Sequence, residues 1–215
     1  MKLVLLGPPG AGKGTQAEKL SKELGIPQIS TGDIIRAAIK NETPIGKIAK
    51  EAIERGELVS DEMVLEIVKD RLNDEDCKDG YILDGFPRTL VQAEMMQKGS
   101  ETIDVDFVID IDVADSEIVG RLSGRRVCPD CGKTYHVTNQ PSAKGELCEK
   151  CGAELIIRKD DSPEVILNRL SVYHELTEPL REFYKKENKL YTVNGAESLD
   201  KVTARVMDII GRQRR

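Results

Sequence analysis

Residues 7–15 read Gly-Pro-Pro-Gly-Ala-Gly-Lys-Gly-Thr and combine the residue types that hold phosphate groups. Glycines let a backbone loop turn several N–H groups towards an anion, and Lys13 adds a mobile positive charge that can reach the terminal phosphates. The strict phosphate-loop pattern has Ser or Thr after the lysine, whereas here Gly14 follows it and the hydroxyl comes at Thr15. A dinucleotide fingerprint fits less well, because a lysine stands inside the loop and the sixth position from Gly10 is Thr15. The run therefore predicts a variant phosphate loop that binds a nucleoside triphosphate.

A second segment joins a carboxylate to an arginine. The apolar run 81–83 ends in Asp84, and a turn carrying Arg88 follows. If 81–83 is a strand of a parallel sheet, Asp84 emerges at the carboxyl edge, where an acid orients Mg²⁺ or its water shell in phosphate-loop proteins. The permanently charged, planar guanidinium of Arg88 suits another phosphate group. The segment therefore predicts a Mg²⁺ site at Asp84 and a second phosphate site at Arg88.

Four of the five cysteines form two close pairs, Cys128-x2-Cys131 and Cys148-x2-Cys151, separated by sixteen residues. Four thiolates complete the tetrahedral shell of Zn²⁺ and leave no open position for catalysis. The spacing predicts a structural zinc site that holds a small insertion together, with Fe²⁺ or two disulfides as the alternatives. Cys77 is left over and is expected to be a small, buried apolar residue.

Arginines recur near the ends of the expected elements. They are Arg36, Arg88, Arg121, Arg125, Arg126, Arg158 and Arg169. Neutralising the dense negative charge of transferring phosphates is the main demand of phosphoryl-transfer catalysis, and such a set could meet it. Arg125 and Arg158 stand on either side of the cysteine-rich segment. We therefore expect that segment to be a lid that brings positive charge onto bound nucleotide and keeps water out.

The elements that must position these groups follow a simple alternation. Short apolar runs alternate with longer helical stretches, at residues 3–6, 28–30, 81–83, 107–113 and 190–193. This predicts an α/β fold with a five-stranded parallel sheet flanked by helices. Helices are expected at 14–24 and 61–72, from Pro163 onwards with a bend near Pro179, and from about Ser198. Segments 30–59 and 125–161 break the alternation, so we interpret both as insertions into a single core.

Composition limits the classes of partner. A chain of 215 residues suffices for one domain with inserted lobes, and its formal net charge is −6. Such a surface is not built to attract polyanions, so no nucleic-acid partner is expected. Apolar runs stay well below the ~18 residues of a membrane span, and the run 3–6 is shorter than the ~7–15 residues of a signal-peptide core. We therefore expect no membrane association, a cytoplasmic location and a monomer.

Together these segments resemble the adenylate kinase family, in its long form with a metal-binding lid. The resemblance covers essentially the whole chain and rests on residues 7–15, 29–36, 83–88 with Gln92, 124–126, 158–161 and 168–170. A loop ending Gly-Lys-Gly-Thr is the family's own form. The resemblance implies reversible phosphoryl transfer from Mg·ATP to AMP, giving two ADP without a covalent enzyme intermediate. It also implies a phosphate-loop core (1–29, 60–124 and 162–215), a helical NMP-binding insertion (30–59) and a zinc-bearing lid (125–161).

The resemblance also assigns site residues, position by position. The ATP site would comprise Gly10, Ala11, Gly12, Lys13, Gly14, Thr15, Arg121, Arg125, Thr134, Tyr135 and, through its backbone, Glu197. The AMP site would comprise Thr31, Arg36, Glu57, Leu58, Val59, Gly85, Phe86, Pro87, Arg88, Gln92, Arg158 and Arg169. The catalytic residues would be Lys13, Arg88, Arg125, Arg158 and Arg169. Asp84 would hold Mg²⁺ through water, and Cys128, Cys131, Cys148 and Cys151 would hold Zn²⁺.

Two other functions stay open on the residues alone. A nucleoside monophosphate kinase for another base would carry the same motifs, because spacing does not tell which base Thr31 and Gln92 would meet. Adenine specificity therefore comes only from the resemblance. A zinc-ribbon protein that binds nucleic acid is favoured by the cysteine pairs and nearby lysines. The net charge of −6 and an aromatic content of 4% speak against it.

Overall fold

The structure is a computed structural model and describes residues 1–98 and 102–213. With strands numbered in chain order, its central sheet contains β1 (Lys2–Leu6), β2 (Gln28–Ser30), β3 (Tyr81–Asp84), β4 (Phe107–Asp112) and β7 (Leu190–Asn194). All five are parallel, in the order β2-β3-β1-β4-β7. The α/β fold and the five-stranded parallel sheet predicted from the sequence are thus confirmed. In this register Leu5 lies beside Asp84, so the loop after β1 begins next to that carboxylate.

Helices cover both faces of the sheet. They are α1 (Lys13–Leu24), α2 (Thr31–Lys40), α3 (Pro44–Arg55), α4 (Asp61–Leu72), α5 (Leu90–Gln97), α6 (Asp115–Ser123), α7 (Pro163–Val172), α8 (Leu180–Lys186) and α9 (Leu199–Gln213). Side chains alternate along β1, so Val4 and Leu6 enter one apolar core with α2, α4, α5 and α8. Leu3 and Leu5 enter the other, with α1, α6, α7 and α9. Within 1–98 and 102–213, no helix has the length and apolar character needed to cross a bilayer.

The long helical region predicted from Pro163 is interrupted just before Pro179. A π-helical turn, Tyr173–Thr177, joins α7 to α8, and in it the Glu178 N–H donates to the Tyr173 carbonyl at 2.9 Å. Proline has no N–H to donate, and its ring clashes with the carbonyl four residues earlier, so the regular helix cannot continue through it. The turn brings Thr177 to the loop between β3 and α5.

Both segments interpreted as insertions have structure of their own. The first contains α2 and α3, which pack so closely that a Cβ at Gly46 would lie 2.1 Å from the Ala38 carbonyl oxygen; only glycine fits there. The second contains the antiparallel pair β5 (Arg125–Val127) and β6 (Thr134–His136), with Val127 also bridged to Ile156. Residues of both segments stand beside the carboxyl edge of the sheet and line the same cavity as the phosphate loop.

Candidate functional site

The phosphate loop lies between β1 and α1, at the carboxyl edge of the sheet. Gly7, Gly10 and Gly12 have φ values of 133°, 81° and 99°, a region that favours glycine and that the loop needs to turn back on itself. Gly12 caps α1, whose first turn carries no acidic residue. The helix therefore presents free N–H groups and a partial positive charge to an anion in the loop.

Lys13 is folded over this loop. Its ammonium donates hydrogen bonds to the carbonyl oxygens of Gly7 and Pro8, at 2.6 and 2.8 Å. Burial, together with the positive charges of Arg88 and Arg169, lowers the pKa of Lys13 to about 8, against the opposing carboxylates of Asp84 and Asp110. The surroundings therefore disfavour the charged form of this lysine, and a bound phosphate would favour it.

Asp84 ends β3 beside the start of α1. Burial raises its pKa, and the charge of Lys13 opposes that shift. Gln28 donates to its Oδ2 at 3.3 Å. A Cβ on Gly14 would lie 3.3 Å from the same oxygen. A side chain at position 14 would therefore crowd the Asp84 carboxylate, which favours glycine where the strict pattern has a hydroxyl residue.

Three arginines share two buried aspartates where the second insertion meets α7. Arg158 donates two hydrogen bonds to Asp160 at 2.8 and 2.6 Å, and Arg125 donates to Asp161 at 2.7 Å. Arg169 bonds the Asp160 carbonyl and the Asp161 carboxylate, both at 2.9 Å. Burial alone would raise the pKa of Asp160, but Arg158, Arg169 and Arg125 hold it well below its usual range. Three guanidiniums against two carboxylates leave positive charge for an anion.

The predicted AMP residues surround the start of α2 and the loop after β3. Thr31 Oγ1 and Arg88 Nε both donate to the Gly85 carbonyl, at 2.8 Å each. Arg36 pairs with Asp33. Burial lowers the pKa of Arg88, so this guanidinium also lies in surroundings that favour an added negative charge.

The predicted ATP residues of the lid and of the C-terminal part use their side chains differently. Arg121 donates to the carbonyls of Ala11 and Gly195, at 3.3 and 2.8 Å, so it links the phosphate loop to the residue that follows β7. The Tyr135 ring is buried, and its hydroxyl lies 3.4 Å from the Cys148 sulfur. The Glu197 carboxylate accepts from Arg205 at 2.6 and 2.8 Å.

A single cavity of about 1480 Å³ brings these groups together. It exceeds the roughly 300–1,000 Å³ of a pocket for one small ligand. Of the residues assigned to the ATP, AMP and Mg²⁺ sites, Phe86 does not line it, because its side chain is fully buried in the core. Every other one does, Asp84 included.

The cysteine pairs form a cluster in the lid. The sulfur atoms of Cys128, Cys131, Cys148 and Cys151 all lie within 4.8 Å of one another, and the cysteines are free thiols. Burial would raise the pKa of Cys148, but hydrogen bonds from Tyr135 and from backbone N–H groups lower it, which favours a thiolate. The donor set and its compactness fit a structural Zn²⁺ with a complete tetrahedral shell.

Several polar residues of the site were not singled out from the sequence. Asp33, Asp160 and Asp161 hold the arginines, and Thr177 Oγ1 donates to the Arg88 carbonyl at 2.7 Å. Asp61 Oδ1 accepts from Gln92 Nε2 at 2.8 Å. One sequence signal could have found a pair of them, since Arg158, Asp160 and Asp161 lie within four residues of one another.

Comparisons with known proteins agree with one another. A family model described as adenylate kinase matches residues 5–189. An adenylate kinase of Caldicellulosiruptor bescii is 51% identical over 213 residues, which is 98% of this chain and 99% of that protein. Adenylate kinases of Acetivibrio thermocellus (51%, 98% of each chain) and Lachnospira eligens (49%, 98% of this chain and 100% of that one) are similar over the same length.

Proposed function

The chain belongs to the adenylate kinase family, and from that premise we propose how its residues divide the reaction between them. The enzyme is an ATP:AMP phosphotransferase that transfers the terminal phosphoryl group of Mg·ATP to AMP, reversibly, giving two ADP. The observation that carries the proposal is the convergence of Lys13 and of arginines from separate elements on one large cavity. Such a cavity can neutralise two phosphate tails while they react.

On the ATP side, residues 10–15 wrap the phosphates with backbone N–H groups. The Lys13 ammonium exchanges its two carbonyl partners for phosphate oxygens and follows the transferred group. Arg121 lies under the adenine, and Arg125 contacts phosphate. Thr134 and Tyr135 would contact ATP from the lid, Tyr135 through its backbone, because its ring serves the cysteine cluster.

At the far end of the ATP site, Glu197 would contact adenine through its backbone. Its carboxylate is already held by Arg205, which supports a role that does not depend on the side-chain charge.

On the AMP side, Arg36 and Arg88 take the acceptor's phosphate, while residues near α2, α4 and α5 enclose the nucleoside. These enclosing residues are Thr31, Glu57, Leu58, Val59, Gly85, Pro87 and Gln92. Arg158 and Arg169 reach the phosphates from the other side. Phe86 supports the loop from within the core, so its contact with the nucleotide would be made by its backbone and not by its buried side chain.

Catalysis consists of placement, charge neutralisation and exclusion of water. The catalytic set is Lys13, Arg88, Arg125, Arg158 and Arg169, whose charges face the transferred group from several directions. Mg²⁺ bound with ATP neutralises part of the phosphate charge. Asp84 would hold it through water, a role supported by the position of its buried carboxylate beside the phosphate loop.

We also propose that residues 30–59 and 125–161 act as two closing lobes on a core of 1–29, 60–124 and 162–215. Contacts between the lobes support this. Lys159 lies 3.1 Å from Glu54, and Lys40 donates to the Pro129 carbonyl at 2.9 Å. Lobes that touch across the cavity restrict water, so AMP rather than water receives the phosphoryl group.

The same proposal extends to the cellular setting. We place the enzyme in the cytoplasm, because thiolates held for a metal persist in a reducing compartment. We propose a monomer that binds neither nucleic acid nor membrane, on the strength of its formal net charge of −6.

The test is a coupled assay of ADP formation with AMP, GMP, CMP and UMP as acceptors, run beside metal analysis of the purified chain. AMP should be clearly preferred, with about one Zn²⁺ per chain if the shell is Cys₄. Preference for another base would make the enzyme a different nucleoside monophosphate kinase. Salt-sensitive retention on single-stranded oligonucleotide, without ADP formation, would revive the nucleic-acid-binding alternative.

A further inference from the structure

The amide of Gln92 is tied at both ends. Gln92 lies in the first turn of α5, is 2% exposed and lines the cavity on the proposed AMP side. Its Oε1 accepts a hydrogen bond from the Arg88 N–H at 2.7 Å. Its Nε2 donates to Asp61 Oδ1 at 2.8 Å. The two ends of the amide therefore meet partners of opposite kind.

These two partners fix the orientation of the Gln92 side-chain amide. A backbone N–H can only donate, and an ionised carboxylate can only accept. Reversing the amide would set its NH₂ against the Arg88 N–H and its oxygen against Asp61. The Thr89 hydroxyl supports the same orientation. It donates to the same Asp61 oxygen at 3.0 Å and accepts from the backbone N–H of Gln92 at 3.0 Å. Residues from α4 and from the start of α5 thus hold one orientation.

The orientation of the Gln92 amide matters because the amide still has hydrogen-bonding groups available for a ligand. A primary amide has two N–H donors and two acceptor lone pairs, so one of each remains for a ligand. The edge of a 6-aminopurine offers an amino donor next to a ring-nitrogen acceptor, and that of a 6-oxopurine offers the reverse order. An amide that could turn over would serve both bases, whereas a fixed amide serves one.

We propose that Asp61 is a positioning residue that sets base selectivity, by holding the Gln92 amide in the orientation suited to a 6-aminopurine. This rests on the proposed AMP site. Asp61 touches the amide and not the base. The alternative is a purely structural role. Thr89 and Gln92 also form part of the N-terminal cap of α5, and the hydrogen bonds would then only stabilise the start of that helix. A cap alone would affect all substrates equally.

The substitution Asp61→Asn separates the two. An asparagine can offer either its oxygen or its NH₂ to Gln92, so at nearly constant shape the amide loses one of the two contacts that fix its orientation and only the Arg88 N–H opposes its reversal. We expect the ratio of kcat/KM for AMP to that for IMP, with Mg·ATP as donor, to fall about tenfold. The change should lie in KM more than in kcat, because base contacts act on binding. Glu62→Gln is the matched control, since it removes the same charge from an exposed neighbour in the same helical turn and should leave the ratio unchanged.

A double substitution checks that Asp61 acts through the amide. In a Gln92→Ala background, Asp61→Asn should change the AMP-to-IMP ratio by less than twofold. If Asp61→Asn folds poorly, equilibrium binding of AMP and IMP to Asp61→Ala gives the same comparison. If the variant enzymes are active and their ratio of kcat/KM for AMP to that for IMP is unchanged, so that both substrates are equally affected, the proposal is overturned. The contacts of Asp61 then serve only the helix cap. A wild-type protein that forms no ADP from ATP and AMP would instead overturn the proposed function itself.

Discussion

Nucleotide binding should draw a proton from solvent onto Lys13. In the nucleotide-free protein, burial and the nearby charges of Arg88 and Arg169 lower the pKa of this lysine to about 8. A bound triphosphate places several negative charges in hydrogen-bond reach of the ammonium, which favours its charged form. Binding therefore raises the pKa, and a lysine that was partly neutral takes up a proton. Nucleotide binding is therefore accompanied by proton uptake, and the number of protons taken up increases as the pH rises above 8.

The size of the effect follows from that pKa. At pH 8.5 roughly a quarter of the lysines are charged before binding, so full charging on binding takes up about 0.75 proton per nucleotide. At pH 7 about nine tenths are already charged, and the uptake from this group falls to about 0.1 proton. Other groups interfere little at pH 8.5. Phosphates with a second pKa of about 6 are already ionised, and Arg169, with a pKa of about 10, is already charged.

Isothermal titration calorimetry with Mg·ATP measures this directly. At pH 8.5 the binding heat should change with the ionisation enthalpy of the buffer, with a slope of about 0.75 proton. Lys13→Met should abolish the slope, because its side chain cannot titrate. Lys22→Met is the control on the same helix, since Lys22 is largely exposed and paired with Glu18 at 2.7 Å. A wild-type slope near zero at pH 8.5, or an equal slope in Lys13→Met, would refute the reasoning.

Three further outcomes follow from the same contacts. Lys13→Met should lower turnover in the ADP assay by at least about 10³-fold without lowering the thermal midpoint, because the lysine supplies charge to the transferred group and no core packing; near-normal turnover would contradict this. Cys128→Ser should lose bound metal and lower the thermal midpoint more than it lowers turnover at moderate temperature, since the metal holds the lid together; an equally stable, metal-free variant would count against the zinc site. Asp161→Asn should destabilise the protein by about 3 kcal/mol in denaturant unfolding, because Arg125 and Arg169 lose a buried charged partner. A bound two-nucleotide mimic should reduce that loss, and a loss unaffected by the mimic would speak against phosphate contact by these arginines.

The parts of the site that the sequence revealed are those whose chemistry is local in the chain. Glycines around one lysine define a phosphate loop because neighbouring backbone groups do the binding, and two close cysteine pairs define a metal site because each pair chelates by itself. Alternating apolar runs define a parallel sheet for the same reason. Gly14 marks the limit of this local reasoning: the sequence records a departure from the strict pattern. Only the fold explains it, through the Asp84 oxygen 3.3 Å from where a Cβ would stand.

Residues whose role depends on distant partners could not be assigned in this way. Asp161 reads as an ordinary surface acid until the fold brings it to Arg125, 36 residues away in the chain. Asp61 lies 31 residues from Gln92, and Thr177 lies 89 residues from Arg88. Each is a polar side chain at a helix end, where such residues commonly serve as caps. The spacing of Asp61 and Thr177 carries no signal, because no local geometry links them to the groups they hold.

The aspartates of the site explain how an acidic protein can keep so many cations ready for a polyanion. Buried guanidiniums without partners would be strongly disfavoured, yet full neutralisation would leave nothing for the phosphates to gain. Arg125, Arg158 and Arg169 meet both requirements, because two carboxylates fix their positions while their positive charge exceeds the negative charge beside them. Lys13 carries a related penalty, because burial, with Arg88 and Arg169 nearby, disfavours its charged form and lowers its pKa. Substrate phosphates relieve it, so the attraction is greatest where the transferred group must lie, while the rest of the surface stays negative.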